Sequence, residues 1–237
     1  MMVDATSIQT QQSAGFRRGG AVWAPPTGTD VWWRATADVA GGNNWVDEIG
    51  GKNIPVAADC SVIAGTGLVA PVGHTTLMTS DYTPTAGGGA GRGYSVAFWL
   101  WITATSGNIQ IISAGSNTQH IRANVTPNRV IPITVYGTVT VIEITTDYTG
   151  GEGLWWHLAV TQYWGDDGAQ TNKHAEFYVN GVFKSNLTVG TRTDAAQPLS
   201  VMAVDFAGKL DDIIAAPRHM TAGEVADIHD NSPESHA

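Results

Sequence analysis

The sequence has only one cysteine, Cys60, in 237 residues. A single cysteine excludes an intramolecular disulfide, and it also excludes a zinc cluster or a redox centre built from paired cysteines. Cys60 is most simply interpreted as a small residue of the hydrophobic core, and a reactive thiol is the alternative. The cysteine content therefore points away from a disulfide-stabilised or redox protein.

Basic residues are scarce as well, because 12 Lys and Arg stand against 21 Asp and Glu, for a formal net charge of -9. Such a chain repels phosphate backbones, so nucleic acid is not an expected partner. The amino end lacks the basic and then apolar pattern of a secretory signal, and no apolar run reaches the roughly 18 residues that cross a bilayer. We therefore expect a soluble chain with no membrane partner and no cleaved export signal.

What the sequence does contain favours β-structure. Charged residues make up 14% of the chain while 28 residues are glycine, a composition typical of short strands joined by tight turns. Residues 94–102 alternate with apolar side chains on both faces, which predicts a central strand. Further strands are predicted at 109–113, 120–125, 130–136, 139–145, 154–161, 201–205 and 209–215.

Two local signals are stronger than the rest. Asn180 and Gly181 separate two apolar runs within 177–184, and this pair suits the positive φ angles of a two-residue hairpin turn. Thr221 and Glu224 have the spacing of a capping box, which predicts a short helix at 221–228.

Residues 1–29 form a separate region, rich in Gln, Ser, Gly and Pro and without strand or helix periodicity. We predict an extended N-terminal arm here, a domain at 30–230 and a short tail at 231–237. A segment that buries so little apolar surface needs something to hold it. A neighbouring subunit contacting Phe16, Arg17, Arg18 and Trp23 is the first candidate, and folding back onto the same domain is the alternative.

Several sequence segments occur in an order that resembles a known superfamily. They are the aromatic strand 96–100, the Trp-Trp-His strand 155–161, the hairpin 177–181, the segments 206–213 and 220–225, and upstream the segments 32–34 and 44–53. This order resembles the laminin G-like, concanavalin A-like jelly-roll superfamily. The resemblance implies an all-β, two-sheet antiparallel sandwich. It leaves function open, because members include sugar-binding modules, adhesion domains, glycosidases and virion components.

A catalytic carboxylate pair is not apparent. Glu143 and Asp147 are the nearest candidates, but on an extended strand they lie roughly 13 Å apart, beyond the separation that either glycosidase mechanism uses. His157 has no nominated nucleophile or carboxylate partner, so we expect a structural, hydrogen-bonded histidine. The prediction is a protein that is not an enzyme.

The resemblance implies one candidate metal site. Related jelly rolls hold a structural calcium ion with an aspartate from the late strand, so Asp211 or Asp212, joined by Asp47, would be the ligands here. The alternative is that one of the late pair faces solvent while the other hydrogen-bonds a loop. No other cofactor is expected.

Sugar binding needs aromatic side chains on an exposed surface with polar groups nearby. Trp164, which lies in a predicted loop, and Trp45 are the two candidates, with packing in the core as the alternative for each.

Together these observations predict a non-enzymatic assembly protein, with a bacteriophage virion component such as a capsid decoration or tail-associated protein as the first interpretation. It would assemble in the host cytoplasm, with other virion proteins or copies of itself as partners, and a surface glycan as a further partner. A carbohydrate-binding or adhesion module is the second interpretation, and a degenerate glycosidase is the third.

Overall fold

The computed structural model describes residues 23–83, 92–104, 109–114, 122–125, 130–135, 138–143, 155–163, 174–188, 198–201 and 207–231. Its strands are β1 (Val31–Trp33), β2 (Val39–Ala40), β3 (Asn44–Val46), β4 (Asn53–Pro55), β5 (Ser61–Ile63), β6 (Gly67–Ala70), β7 (Met78–Thr79), β8 (Arg92–Ala104), β9 (Ile109–Ala114), β10 (Arg122–Val125), β11 (Val130–Val135), β12 (Thr138–Glu143), β13 (Trp155–Tyr163), β14 (His174–Val179), β15 (Val182–Thr188), β16 (Leu199–Val201) and β17 (Ala207–Arg218). A helix, α1 (Ala222–Asn231), follows the last strand.

The strands form two large antiparallel sheets and a small one. The nine-stranded sheet has the order β15-β14-β13-β8-β17-β6-β5-β2, with β1 also pairing with β17. The six-stranded sheet has the order β12-β11-β10-β9-β16-β7, and β3 pairs with β4 in a two-stranded ribbon. This arrangement confirms the predicted all-β, two-sheet sandwich.

The main core lies between the two large sheets, because its buried cluster draws side chains from both. Strand β8 contributes Tyr94, Val96, Phe98 and Leu100 from alternate positions, as the period of two along a strand requires. The six-stranded sheet contributes, among others, Met78, Leu199 and Val201.

The opposite face of the nine-stranded sheet, here called the outer face, carries helix α1. Val225 and Ile228 of the helix are buried with side chains of the outer face, which are Trp32, Ala97, Ala159, Tyr178, Ile214 and Ala216. The predicted capping box starts this helix: the Thr221 amide donates to Glu224 Oε2 at 2.8 Å, and the Glu224 amide donates to Thr221 Oγ1 at 3.3 Å. The helix extends past the predicted 221–228 to Asn231.

Strand β17 contains a bulge beside the centre of the sheet. Asp211 pairs with Trp99 and Ile214 pairs with Ala97, so β17 has one residue more than β8 between these pairs. Asp212 lies in the left-handed region with φ 46°. Beyond the bulge, Ile213 packs in the main core while Ile214 packs under the helix.

The Asn-Gly hairpin is confirmed. Strands β14 and β15 pair with Val179 opposite Val182, and Asn180 and Gly181 have φ angles of 50° and 71°. These two positive values are those of a type I′ turn. The hairpins formed by β9 with β10 and by β11 with β12 are also present.

The last residues of the predicted N-terminal arm lie against the domain. The Trp23 ring meets the Trp32 ring edge-on at 5.5 Å, and its Nε1–H donates to Asp227 Oδ2 at 3.1 Å. The Arg218 guanidinium donates to the carbonyl oxygen of Thr27 at 2.7 Å. Residues 23–29 thus follow the fold-back alternative. Within the described part of the chain, no helix has the length and apolar character to cross a membrane.

Candidate functional site

The outer face carries an aromatic platform beyond the helix, defined by Trp101, Trp155 and Lys209. Trp101 of β8 pairs in register with Trp155 of β13 and with Lys209 of β17, so the three side chains come from three neighbouring strands. The two indole rings meet edge-on with centroids 5.6 Å apart. The Lys209 ammonium lies 4.5 Å from the centre of the Trp101 ring and 6.0 Å from that of Trp155. All three side chains are half-buried.

A stack of rings continues this face toward the helix. His229 of α1 stacks on Trp99 with centroids 5.4 Å apart, and the His157 ring lies 5.3 Å from Trp99. His157 is fully buried, and its backbone amide donates to Asn180 Oδ1 at 2.9 Å. These contacts place His157 in a packed structural setting, which agrees with the prediction for this residue.

The two late-strand calcium candidates are both buried and both accept hydrogen bonds. Asp211 Oδ1 accepts the amide hydrogens of Ala35 at 3.0 Å and of Asp212 at 2.8 Å. Asp212 Oδ1 accepts the indole N–H of Trp32 at 3.0 Å. The alternative interpretation was right that one carboxylate bonds a loop, but wrong that the other faces solvent, since Asp212 is 0% exposed.

The third calcium candidate, Asp47, lies in the loop between β3 and β4, whereas Asp211 and Asp212 lie in strand β17. Its carboxylate accepts the backbone amides of Ile49 and Gly50, each at 2.7 Å, and that of Lys52. A carboxylate with three amide donors organises the turn that joins β3 to β4. The calcium role of Asp47, Asp211 and Asp212 stays a prediction.

Trp45 lies below a shallow depression of about 310 Å³ near this loop, which Asp47 and Glu48 also line. The Trp45 side chain is only 2% exposed and donates its indole N–H to the carbonyl oxygen of Arg34 at 3.1 Å. This placement is the packing alternative for Trp45. Glu48 accepts the Thr36 hydroxyl at 2.7 Å, so both acidic side chains of the depression are engaged in hydrogen bonds.

Cys60 belongs to a cluster with His74, which is buried, and Asp59, whose side chain is 48% exposed. Cys60 is 4% exposed and packs in the main core, as predicted. Its Sγ lies 3.4 Å from His74 Nδ1, and Asp59 Oδ2 lies 2.9 Å from the same nitrogen. A catalytic cysteine-histidine-aspartate relay needs the thiol and the carboxylate on opposite ring nitrogens of the histidine. Here both lie nearest to Nδ1 of His74, so the cluster does not have that arrangement. Burial, with a contribution from Asp59, raises the pKa of the Cys60 thiol to about 12, so the thiol is not activated as a nucleophile.

A second cluster, formed by His174, Glu176 and His219, lies on the outer face near the N-terminal end of helix α1. His174 Nε2 is 3.4 Å from Glu176 Oε1, and His219 Nε2 is 3.3 Å from Glu176 Oε2. Tyr178 also donates its hydroxyl to Glu176 Oε2 at 2.6 Å. All three side chains of this histidine-glutamate cluster are partly exposed, whereas Cys60 and His74 of the other cluster are buried.

Several predicted residues lie outside the described part of the chain. These are Phe16, Arg17, Arg18, Trp164 and Asp147, together with the side chain of Glu143. Sequence reasoning did not single out Trp101, Trp155 or Lys209. The signal was present in the alternation, because Trp101 and Trp155 occupy the strand face opposite the main core, but their proximity depends on the strand order.

The comparisons with known proteins agree with this fold. Residues 73–226 match the profile of the concanavalin A-like lectin/glucanases superfamily, and the chain belongs to this superfamily. No curated protein matches the sequence significantly.

Three solved structures illustrate the likeness. The binding domain of botulinum neurotoxin serotype D is 10% identical, with a TM-score of 0.62 over 86% of this chain and 51% of that chain. The binding domain of Paraclostridial Mosquitocidal Protein 1 is 10% identical, with a TM-score of 0.63 over 86% and 52%. Trypanosoma rangeli sialidase, in complex with 2,3-difluorosialic acid, is 14% identical, with a TM-score of 0.65 over 94% and 36%. This chain therefore spans about half of the toxin domains and about a third of the sialidase, and the likeness establishes the lectin-like jelly-roll fold.

Proposed function

We propose that this domain is a non-catalytic module that binds a glycan at the aromatic platform of Trp101, Trp155 and Lys209. The observation that carries the proposal is the geometry of the platform, in which two adjacent half-buried indoles lie beside a lysine ammonium. Most other described tryptophans, including Trp32, Trp33, Trp45, Trp99 and Trp156, are buried and serve the packing of the domain.

The chemistry of the platform suits a sugar. Indole rings offer large apolar surfaces on which the C–H faces of a sugar ring can pack, while orienting polar groups supply specificity. Lys209 provides three N–H donors and a positive charge, which can meet hydroxyl or carboxylate oxygens. The superfamily and the fold neighbours, which include toxin binding domains, support a glycan ligand, and the Lys209 ammonium favours one that carries a carboxylate.

Glycan binding should depend on both platform tryptophans. We expect Trp101→Ala and Trp155→Ala each to weaken binding at least about tenfold, because removing a central aromatic contact typically costs more than about 1.4 kcal/mol. A glycan array of neutral and acidic sugars identifies the ligand, and calorimetric titration then measures its affinity. Lys209→Met should weaken acidic sugars more than neutral ones.

Phe183→Ala is the matched control for these variants. Phe183 is an exposed aromatic side chain on the same sheet, 48% exposed and in contact with Tyr178 away from the platform. Its removal should leave the affinity unchanged. Wild-type protein that binds no glycan on the array, or binding that survives both tryptophan substitutions, would refute the site. Release of reducing ends from an oligosaccharide would contradict a non-catalytic module.

A narrower proposal concerns where the domain is displayed. We propose that it is part of a bacteriophage virion, attached through the N-terminal arm to other virion proteins or to copies of itself. The composition of residues 1–22 supports attachment through this segment, because a segment with so little apolar surface to bury needs something to hold it, while Trp23 itself packs on Trp32 and Asp227 of its own domain. An arm that leaves the domain at a fixed point can add contact area with a neighbouring subunit, and it loses little orientational freedom when it binds.

The arm can be tested in the full-length chain. We expect the triple variant Phe16→Ala, Arg17→Ala, Arg18→Ala to self-associate at least about tenfold more weakly than the wild type, because it removes an aromatic anchor and two cations from one short segment. Sedimentation velocity over a range of concentrations measures this. A replacement of three polar residues in the same arm, Gln9→Ala, Gln11→Ala and Gln12→Ala, is the control. A wild-type chain that remains monomeric at all concentrations, or an unchanged association of the triple variant, would contradict self-assembly through the arm.

A further inference from the structure

The histidine-glutamate cluster on the outer face has the donor set of a metal site. His174 and Glu176 are two residues apart on β14, so their side chains share one face of the sheet, and His219 follows the end of β17. Each residue offers one ligand atom, and the three atoms lie within 4.8 Å of one another. Two imidazole nitrogens and one carboxylate are a common set of protein ligands for zinc.

The two distances between Glu176 and the histidines can be compared with those of a tetrahedral zinc site. Zinc bonds nitrogen at about 2.0–2.1 Å and carboxylate oxygen at about 2.0–2.2 Å, so two neighbouring ligand atoms in a tetrahedron are about 3.3–3.5 Å apart. His174 Nε2 lies 3.4 Å from Glu176 Oε1 and His219 Nε2 lies 3.3 Å from Glu176 Oε2, so both separations fall in this range, with a different carboxylate oxygen facing each histidine. Both histidines present the same nitrogen, Nε2, toward the carboxylate.

Neighbouring residues hold the ligands in place. The Tyr178 hydroxyl donates to Glu176 Oε2 at 2.6 Å, which orients the carboxylate in the manner of residues that support metal ligands. The Tyr163 ring packs against both imidazoles, with centroids 5.2 Å from His174 and 5.8 Å from His219. Ser95 accepts the Met220 amide at 2.9 Å and donates to the Arg218 carbonyl at 2.8 Å, which fixes the backbone on both sides of His219.

The cluster is also accessible to an ion. The side chains of His174, Glu176 and His219 are 35%, 22% and 19% exposed, so one side faces solvent while the rest is packed. Burial lowers the pKa of His219 despite the opposing effect of Glu176, which favours the neutral imidazole that binds metals. Burial raises the pKa of Glu176, but the Tyr178 hydrogen bond and the histidines outweigh it, and the carboxylate stays ionised at neutral pH.

We propose that His174, Glu176 and His219 form a binding site for one Zn²⁺ ion. Imidazole nitrogens select zinc and similar transition metals over calcium or magnesium, which prefer oxygen ligands. Three protein ligands leave a fourth tetrahedral position on the solvent side for water or for an oxygen atom of a bound molecule. The site lies away from the aromatic platform and does not depend on glycan binding.

The test uses the full chain without a histidine tag, stripped of metal and titrated with Zn²⁺ by calorimetry. We expect one zinc ion per chain. His219→Ala and Glu176→Gln should each weaken the affinity at least about a hundredfold, because each removes a ligand, and Tyr178→Phe should weaken it about 10- to 100-fold as the loss of a supporting hydrogen bond. His174→Ala provides a third ligand variant if one of the others does not fold, as judged by circular dichroism.

Two control variants identify the site. His229→Gln removes a partly buried histidine that contacts Trp99 and Asp230 rather than the cluster, and it should leave zinc affinity unchanged. Cys60→Ser removes the thiol of the other candidate cluster, formed with Asp59 and His74, and should also have no effect. Absence of zinc binding in the wild type, unchanged binding in the variant lacking both His174 and His219, or loss of binding in Cys60→Ser would each overturn the proposal.

Discussion

Replacing Trp33 with alanine lowers the free energy of unfolding by about 3–5 kcal/mol, the usual cost of truncating a fully buried tryptophan. Trp33 is 0% exposed and packs in the main core, where its ring meets Tyr82 edge-on at 6.3 Å. Its indole N–H donates to the carbonyl oxygen of Lys52 at 3.2 Å. The variant therefore loses apolar burial, leaves a cavity, and removes the donor of a partly buried carbonyl. Since domains of this size are stable by only about 5–15 kcal/mol, this is a large fraction of the total.

Urea unfolding followed by tryptophan fluorescence measures this effect. Trp33→Phe keeps most of the ring and should lose clearly less stability than Trp33→Ala. Trp23→Ala, at a half-buried position on the outer face, should also lose less. A loss below about 1 kcal/mol for Trp33→Ala would mean that the ring is not part of the core between the sheets.

Replacing Gly93 with alanine destabilises the fold by about 3 kcal/mol, at the upper end of the usual cost of overpacking. A β-carbon at Gly93 would clash with the carbonyl oxygen of Gln162 and would lie 2.9 Å from the amide nitrogen of His219. Both neighbours are backbone atoms, Gln162 within strand β13 and His219 directly after β17, so they cannot move away as a flexible side chain does. The variant must separate β8 from β13 locally, and it displaces His219 from the histidine-glutamate cluster.

Gly223→Ala is the matched control, and its effect has the opposite sign. Gly223 lies in helix α1, and an added β-carbon would have only the Thr221 hydroxyl oxygen as a neighbour, at 4.0 Å. Alanine is favoured over glycine in a helix by up to about 1 kcal/mol, so this variant should be slightly more stable than the wild type. Thermal unfolding of both variants checks the pair. Equal melting temperatures for the two would show that the close approach at Gly93 does not constrain the fold.

Local sequence signals predicted individual elements well. The Asn180-Gly181 turn and the capping box of Thr221 and Glu224 depend on residues close together in the chain, and both were found with the expected geometry. The alternation in 94–102 likewise predicted a central strand, and β8 lies inside the nine-stranded sheet with Tyr94, Val96, Phe98 and Leu100 in the main core. Such features need no knowledge of the partner strands, because turn and cap geometries are set by a few consecutive residues.

The sites were harder to predict, because each depends on which strands are neighbours. The platform forms because β8, which carries Trp101, lies between β13 with Trp155 and β17 with Lys209. No pattern within a single strand predicts this strand order. His219 and Glu176 meet although β13 and β8 lie between β14 and β17, so their proximity also depends on the order of the whole sheet. The sequence-based choice of Trp45 as a surface aromatic also rested on its loop-like surroundings, whereas the indole packs inward and bonds the carbonyl of Arg34.

The short strands of residues 31–79 were likewise missed in detail. Strands β2 and β7 contain two residues each, too few to show a period of two. Their positions are decided by pairing with distant segments, as when Met78 pairs with Val201. Such short strands form because of their contacts with distant segments, so the β-propensity of their own residues does not reveal them.

The extra residue in β17 sets which side of the sheet every later side chain occupies. Leu210 packs in the main core, so strict alternation after it would also turn Ile214 and Ala216 toward that core. Because of the bulge at Asp212, these two side chains instead pack under the helix, and Ile213 and Ala215 face the main core. A strand that kept all its residues but lost the bulge would exchange the inward and outward side chains from this point to Ala216. The packing of Ile214 and Ala216 under the helix thus depends on a single left-handed aspartate, Asp212.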